Sequence, residues 1–159
     1  NYVRKNKAPV TAFLRVSTDK ILLRCEITQP DGLIVLDPTL IEATDVTAGL
    51  KPGGSILINS PRDPAEYATL VTRFEVATVD ASDIARRHGL GSKTQPIVNT
   101  AILGAYASWS ALVSLESICA AIAEEVPFHT AENIAAAREA ATAVTRAPLG
   151  IPSTETRHV

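Results

Sequence analysis

A chain of 159 residues, 46% hydrophobic and 20% charged, fits one globular domain with a core of useful size. Its formal charge of −2 excludes the net basic face that nucleic acid needs, and no apolar run approaches the roughly 18 residues of a membrane span. Arg4, Lys5 and Lys7 precede an amphipathic segment, not the apolar core of a signal peptide, so a cytoplasmic protein with no nucleic-acid or membrane partner is expected.

The elements follow in chain order. Val10 to Val16 and Ile21 to Ile27 are rich in apolar and β-branched residues around Ser17-Thr18-Asp19-Lys20, which predicts an antiparallel hairpin. Leu33 to Leu36 is a continuous apolar run, expected as a strand buried on both faces, and Asp37-Pro38 after it suits a helix start. The turn Gly49-Leu50-Lys51-Pro52-Gly53-Gly54 leads into a second strand, Ser55 to Asn59, and Glu75 to Val79 makes a third. Asp80 to Asp83 offers a cap for a short helix, Ile84 to His88, stopped by Gly89 and Gly91. Beyond it the chain reads as amphipathic helix. Val98, Ile102, Ala105 and Trp109 form one stripe, and Leu112, Leu115, Cys119, Ile122 and Val126 a second. A third helix is expected to be capped by Thr130, with Ile134, Ala137, Ala141 and Val144 on its inner face, before a loose tail over 148–159. Strands alternating with helices predict an α/β fold: a Rossmann-like, mostly parallel sheet with flanking helices, an antiparallel hairpin and a helical C-terminal part, all in one domain over 1–159.

In such a sheet ligands bind beyond the carboxyl ends of the strands, which singles out Asp37, Asn59 and Asp80. Each has a structural reading as well: the aspartates as helix caps, Asn59 as a shaper of the turn before Pro61. Asn99 and Thr100 head an apolar helix, where free N–H groups favour an anion, although Asn99 also suits an ordinary cap. Arg4, Lys5 and Lys7 are a phosphate grip or simply a solvated charge run. No nucleophile–base pair, GxGxxG or Walker pattern is present. Cys25 and Cys119 read as small buried hydrophobes, and with the scattered His88, His129 and His158 they are too few for zinc or an iron–sulfur cluster. The residues alone therefore describe an α/β domain without its own catalytic machinery.

Several stretches, taken together and in order, resemble the gamma component of the 2-oxoacid:ferredoxin oxidoreductases, the pyruvate synthase group. They are Ala8 to Val16, Gln29-Pro30-Asp31-Gly32, Leu36 to Leu40, Gly49 to Gly54 with Asn59-Ser60, Asn99 to Ala105, Ser114 to Ser117, and Asn133 to Ala137. The resemblance implies an enzyme complex that decarboxylates a 2-oxoacid on thiamine diphosphate, passes electrons through [4Fe–4S] clusters to ferredoxin or another acceptor, and releases an acyl-CoA. It places the diphosphate and the clusters on alpha-, beta- and delta-type partners and implies a coenzyme A-binding cover here. Arg4, Lys5 and Lys7 then suit the coenzyme's phosphates, and Asn59, Asn99 and Thr100 its thiol arm.

One departure stands out. Gamma components of this group open with a strand and a glycine-rich loop well before the Ala-Pro-Val segment, and place Arg and Gly just before it. Here Asn1 lies almost at that segment and Lys5-Asn6-Lys7 precedes Ala8, so the expectation is a sequence without its N-terminal glycine-rich part. Two other readings compete: an assembly subunit that binds no ligand, and a nucleotide- or S-adenosylmethionine-binding domain, which would need the glycine loop.

Overall fold

In the computed structural model, residues 10–22 and 25–147 are described. Strand β1 (Gly32–Val35), β2 (Ser55–Asn59) and β3 (Glu75–Val79) run parallel, in that spatial order, and the short β4 (Thr145–Ala147) adds antiparallel to β3. Register pairs Leu33 with Ile56, and Leu57 with Ala77. Helices α1 (Thr39–Ala43) and α2 (Ala68–Val71) lie in the β1–β2 and β2–β3 crossovers. Helices α3 (Ala81–Arg87), α4 (Asn99–Ser110), α5 (Leu115–Glu125) and α6 (Thr130–Thr142) separate β3 from β4. This is the expected fold class, with the mostly parallel sheet and the helical C-terminal part where the sequence put them.

The period-two geometry of a strand sends alternate residues into two cores. Ile56, Ile58 and Val76 point to one face, where Leu50, Leu70 and Phe74 complete a core of large side chains. Leu57, Ala77 and Val79 point to the other, where α3, α4 and α6 bring mostly alanines. Gly104 of α4 lies against the backbone of Ala137 in α6, and Thr100 meets Asn133 one turn earlier, so α4 and α6 run parallel at unusually close range. Gly49 turns with φ +82°, and a Cβ there would meet the Thr28 carbonyl, which locks the connection entering β2 against the segment before β1.

Several expectations are corrected. Residues 10–22 and 25–27 belong to no strand, and the antiparallel pair is β3–β4. Among the described residues the expected hairpin has no partner layer on which to bury one side of each strand, and a two-stranded ribbon alone is marginal. β1 is buried on one face only: Ile34 is 40% exposed, because the helices on its side cover β2 and β3. Leu112 lies outside α5 and is exposed, and Cys25 is exposed whereas Cys119 is buried. Thr130 is the first residue of α6, not its cap, and donates its hydroxyl proton to the Val126 carbonyl. The buried stripe of α6 is Asn133, Ala136, Ala137 and Ala140, one residue out of phase with the expected one, since the small residues are what let α4 approach. The tail over 148–159 lies outside the described residues.

Candidate functional site

The three polar residues that close the parallel strands converge. Asp37 Oδ1 accepts from the Thr39 backbone N–H (3.0 Å) and the Thr39 hydroxyl (2.7 Å), which starts α1 just after β1. Asp80 Oδ1 accepts from Asp83 N–H (2.8 Å) and caps α3 just after β3. Between them Asn59, at the end of β2, is buried, and its side-chain amide is fully engaged. Nδ2 donates to the Leu36 carbonyl (3.0 Å) and to Ser82 Oγ (3.0 Å), and Oδ1 accepts from Ser82 N–H (3.2 Å). Asn59 thus ties the end of β1 to the start of α3 across the strand between them.

Above this tie lies a cleft of about 510 Å³, with Leu36, Asp37, Asn59, Asp80, Arg86 and Pro96 on its walls. A smaller cleft of about 330 Å³ opens on the other side of Pro61 and Asp80, bordered by Ser60, Arg62, Thr78 and Arg87. Both sit where open parallel sheets hold ligands. Arg86 Nε donates to the Ser82 carbonyl (3.2 Å), and its guanidinium stands 3.4 Å from Asp83, still 43% exposed. Asp80 spends one carboxylate oxygen on capping α3, whereas Asp37 spends one on the Thr39 N–H and hydroxyl ahead of α1, whose N-cap is Pro38 and not, as expected, Asp37. The larger cleft therefore offers two acceptor carboxylates, one open guanidinium and proline-rich walls, which recognise a ligand bearing N–H or O–H donors and a negative group. No nucleophile within reach of a base is among these residues.

Arg87 is clamped by Asp83 (2.8 Å) and by Glu139 of α6, and these carboxylates hold its charge more firmly than usual. Glu139 is held below the ordinary glutamate range, first by its hydrogen bond with His88 (2.6 Å) and then by Arg87. Away from the clefts, Asp45 is also held low, by the hydroxyl and backbone N–H of Thr47.

Of the six residues assigned from sequence to coenzyme binding, Asn59 borders the cleft, but with its hydrogen-bonding groups already used. Asn99 is exposed at the first position of α4, after Val98, and makes no capping bond. Thr100 is buried and donates to Asn133 Oδ1 (2.6 Å), joining α4 to α6. Arg4, Lys5 and Lys7 lie outside the described residues. Arg86 went unremarked in the sequence, although Ser82 and Arg86, four apart on one helix face, were legible once Asp80 was taken as the cap. Among the described residues no group of three or more His, Cys, Asp or Glu side chains could hold a metal ion, and no helix is long and apolar enough to cross a membrane.

Comparisons with known proteins agree with one another. The family described as pyruvate ferredoxin/flavodoxin oxidoreductase matches residues 2–143. The chain is 42% identical over 141 residues to the pyruvate/ketoisovalerate oxidoreductases common subunit gamma of Pyrococcus abyssi, covering 87% of this chain and 74% of that one. It is 40% identical over 139 residues to the pyruvate synthase subunit PorC of Methanocaldococcus jannaschii, covering 87% and 73%. The crystal structure of the pyruvate oxidoreductase subunit PORC of Thermotoga maritima superposes with a TM-score of 0.65 at 27% identity, over 76% of this chain and 67% of that one.

Proposed function

The chain belongs to the pyruvate ferredoxin/flavodoxin oxidoreductase family, and from that membership we propose that it is the gamma component of a multi-subunit 2-oxoacid:acceptor oxidoreductase, where it binds coenzyme A and closes the active site. The overall reaction takes a 2-oxoacid, coenzyme A and an oxidised acceptor to acyl-CoA, carbon dioxide and the acceptor reduced by two electrons. Thiamine diphosphate, held by a partner, supplies the decarboxylating chemistry. The two free thiols, Cys25 (exposed) and Cys119 (buried), are fewer than the four a [4Fe–4S] cluster takes, which supports a reading with the iron–sulfur groups on partners as well.

The observation that carries the reading is the convergence of Asp37, Asn59 and Asp80 on one cleft at the carboxyl ends of the strands. Asp37 and Asp80 accept from the amide and hydroxyl groups of the pantetheine arm. Asn99, exposed at the head of α4, reaches the same arm from beside Val98. Arg4, Lys5 and Lys7 neutralise the phosphates. Asn59 and Thr100, whose polar groups are spent internally, act as positioning residues that hold the rim and the α4–α6 pair. Titrating coenzyme A into the assembled complex tests this. Reversing Arg4 and Lys5 to glutamate should weaken binding about tenfold or more, and unchanged affinity removes them from the site.

The internal commitment of Asn59 and Thr100 also favours a second reading, an assembly subunit that binds no ligand. The same titration with and without this chain decides: coenzyme affinity that ignores the chain's presence leaves only the assembly role.

A further inference from the structure

Helix α3 is gripped at both ends by other elements. Asn59 of β2 holds its start through the N–H (3.2 Å) and hydroxyl (3.0 Å) of Ser82, and Glu139 of α6 holds its end through Arg87 and the His88 ring. Arg86 lies between the two grips and lines the larger cleft. Its guanidinium is only partly spent. Nε donates to the Ser82 carbonyl (3.2 Å) and Nη2 stands 3.4 Å from Asp83 Oδ1, which leaves both Nη1 N–H groups without a partner among the described residues.

The carboxylate that steadies Arg86 is shared. Asp83 turns Oδ1 to Arg86 and accepts from Arg87 Nε at Oδ2 (2.8 Å), while Arg87 donates through Nη1 to Glu139 Oε1. The other oxygen of Glu139 meets His88 Nε2 at 2.6 Å. A line of alternating charge therefore runs from α6 to the cleft in the order Glu139, Arg87, Asp83, Arg86. The contacts of Asp83 with Arg86 and Arg87 are three and four residues apart on one exposed helix, a class of pair that is weak alone. Glu139 is the member that comes from a different element. While it holds one arm of the Arg87 fork, Arg87 has one donor for Asp83 and Oδ1 stays with Arg86. Without that charge Arg87 is free to close its fork on both oxygens of Asp83, the geometry a guanidinium and a carboxylate prefer, and Arg86 loses its support. An arginine that must be ordered by its ligand binds more weakly than one already in place.

We propose that Arg86 is a ligand-binding residue of the larger cleft, donating through Nη1 to acceptor oxygens of the coenzyme, and that Glu139 is its positioning residue, acting through Arg87 and Asp83. This rests on the coenzyme A reading and adds to it two residues that touch each other only through intermediates.

Calorimetric titration of coenzyme A into the assembled complex, in a double-mutant cycle, tests it. Arg86→Gln should weaken binding about tenfold, the loss of a charged hydrogen bond. Glu139→Gln should weaken it about threefold or more in the wild-type background and not at all once Arg86 is gone, because its effect passes through that side chain. A structural role would lower affinity by the same factor in both backgrounds, and that result overturns the proposal. So does an Arg86→Gln complex that binds as the wild type does, while the coenzyme reading survives. Affinity that ignores the presence of the whole chain overturns both. Should the Glu139→Gln complex fail to assemble, Arg87→Lys leaves Glu139 on His88 but offers no fork to bridge two carboxylates, and the same dependence on Arg86 is required of it.

Discussion

On one face of the sheet the core is made of Phe74, Ile56, Ile58, Leu50 and Leu70, held under two short helices and their loops. On the other face Ala77, Ala81, Ala85, Ala101, Ala105, Ala136 and Ala140 surround Leu57, Ile84 and Ile102. The first core draws its stability from large apolar areas removed from water, the second from close approach of backbones, because an alanine buries little area of its own. The two cores should therefore fail under opposite insults. Deleting volume harms the first most; adding volume harms the second.

The largest effect is expected on the large-residue side. Phe74 is 2% exposed, and Phe74→Ala should cost about 3–5 kcal/mol in chemical denaturation. A cost under about 1 kcal/mol would mean that this face collapses around the vacancy and is not packed as described. The opposite test is Gly104→Ala. A Cβ there would sit 2.0 Å from the Ala137 carbonyl oxygen, so α4 and α6 must separate, at the upper end of the ~1–3 kcal/mol typical of overpacking. An unchanged or raised midpoint would show that the helices are not in close contact, and the contrast between the two cores would fall.

Asn59 belongs to neither core, and it sharpens the comparison at the rim where they meet the cleft. Asn59→Asp keeps the acceptor for Ser82 N–H but loses both donors, so the Leu36 carbonyl and Ser82 hydroxyl go unserved. About 1–3 kcal/mol is expected, less than for Phe74→Ala, because what is lost is hydrogen bonding and not volume. If Asn59→Asp were neutral in stability yet weakened coenzyme A binding, Asn59 would contact ligand directly.

The parts legible in the sequence share a physical cause. Strands β2 and β3 fall where their apolar runs predicted, because β-branched residues between turn signals leave little alternative, and Asp80 caps α3 because an acceptor at that position serves an otherwise unpaired N–H. Local signals failed where a neighbour decided. Val10 to Val16 has the composition of a strand but pairs with no strand among the described residues. The inward face of α6 was misphased because hydrophobicity favours Ile134, whereas contact with Gly104 selects Ala137 and the Thr100 hydrogen bond selects Asn133. At the site, Asp37, Asn59 and Asp80 were legible from their places after strands. That Asn59 spends its amide on Leu36 and Ser82 was not, since it depends on a register between segments 23 residues apart.

The smallest effect concerns the clamp joining α3 to the alanine core. Glu139 accepts from the His88 ring and from Arg87, and an ionised carboxylate only accepts, so Nε2 of His88 carries the proton in this contact. Both partners favour the charged carboxylate, which is why it stays ionised below the ordinary glutamate value of 4.5. A carboxylate with a lowered folded-state pKa stabilises the protein fully above its unfolded value, and that contribution disappears as pH falls through the folded value. Wild type should therefore lose stability below about pH 4.5, the ordinary value, whereas Glu139→Gln should be modestly less stable at neutral pH and flatter over that acid range. The two curves should converge at the acid end. Asp45, held low by Thr47, titrates in both proteins and cancels from the difference. Parallel curves from neutral to acid pH, measured by urea melts at each pH, would show that the clamp is not formed in solution and that α3 is held to α6 by packing alone.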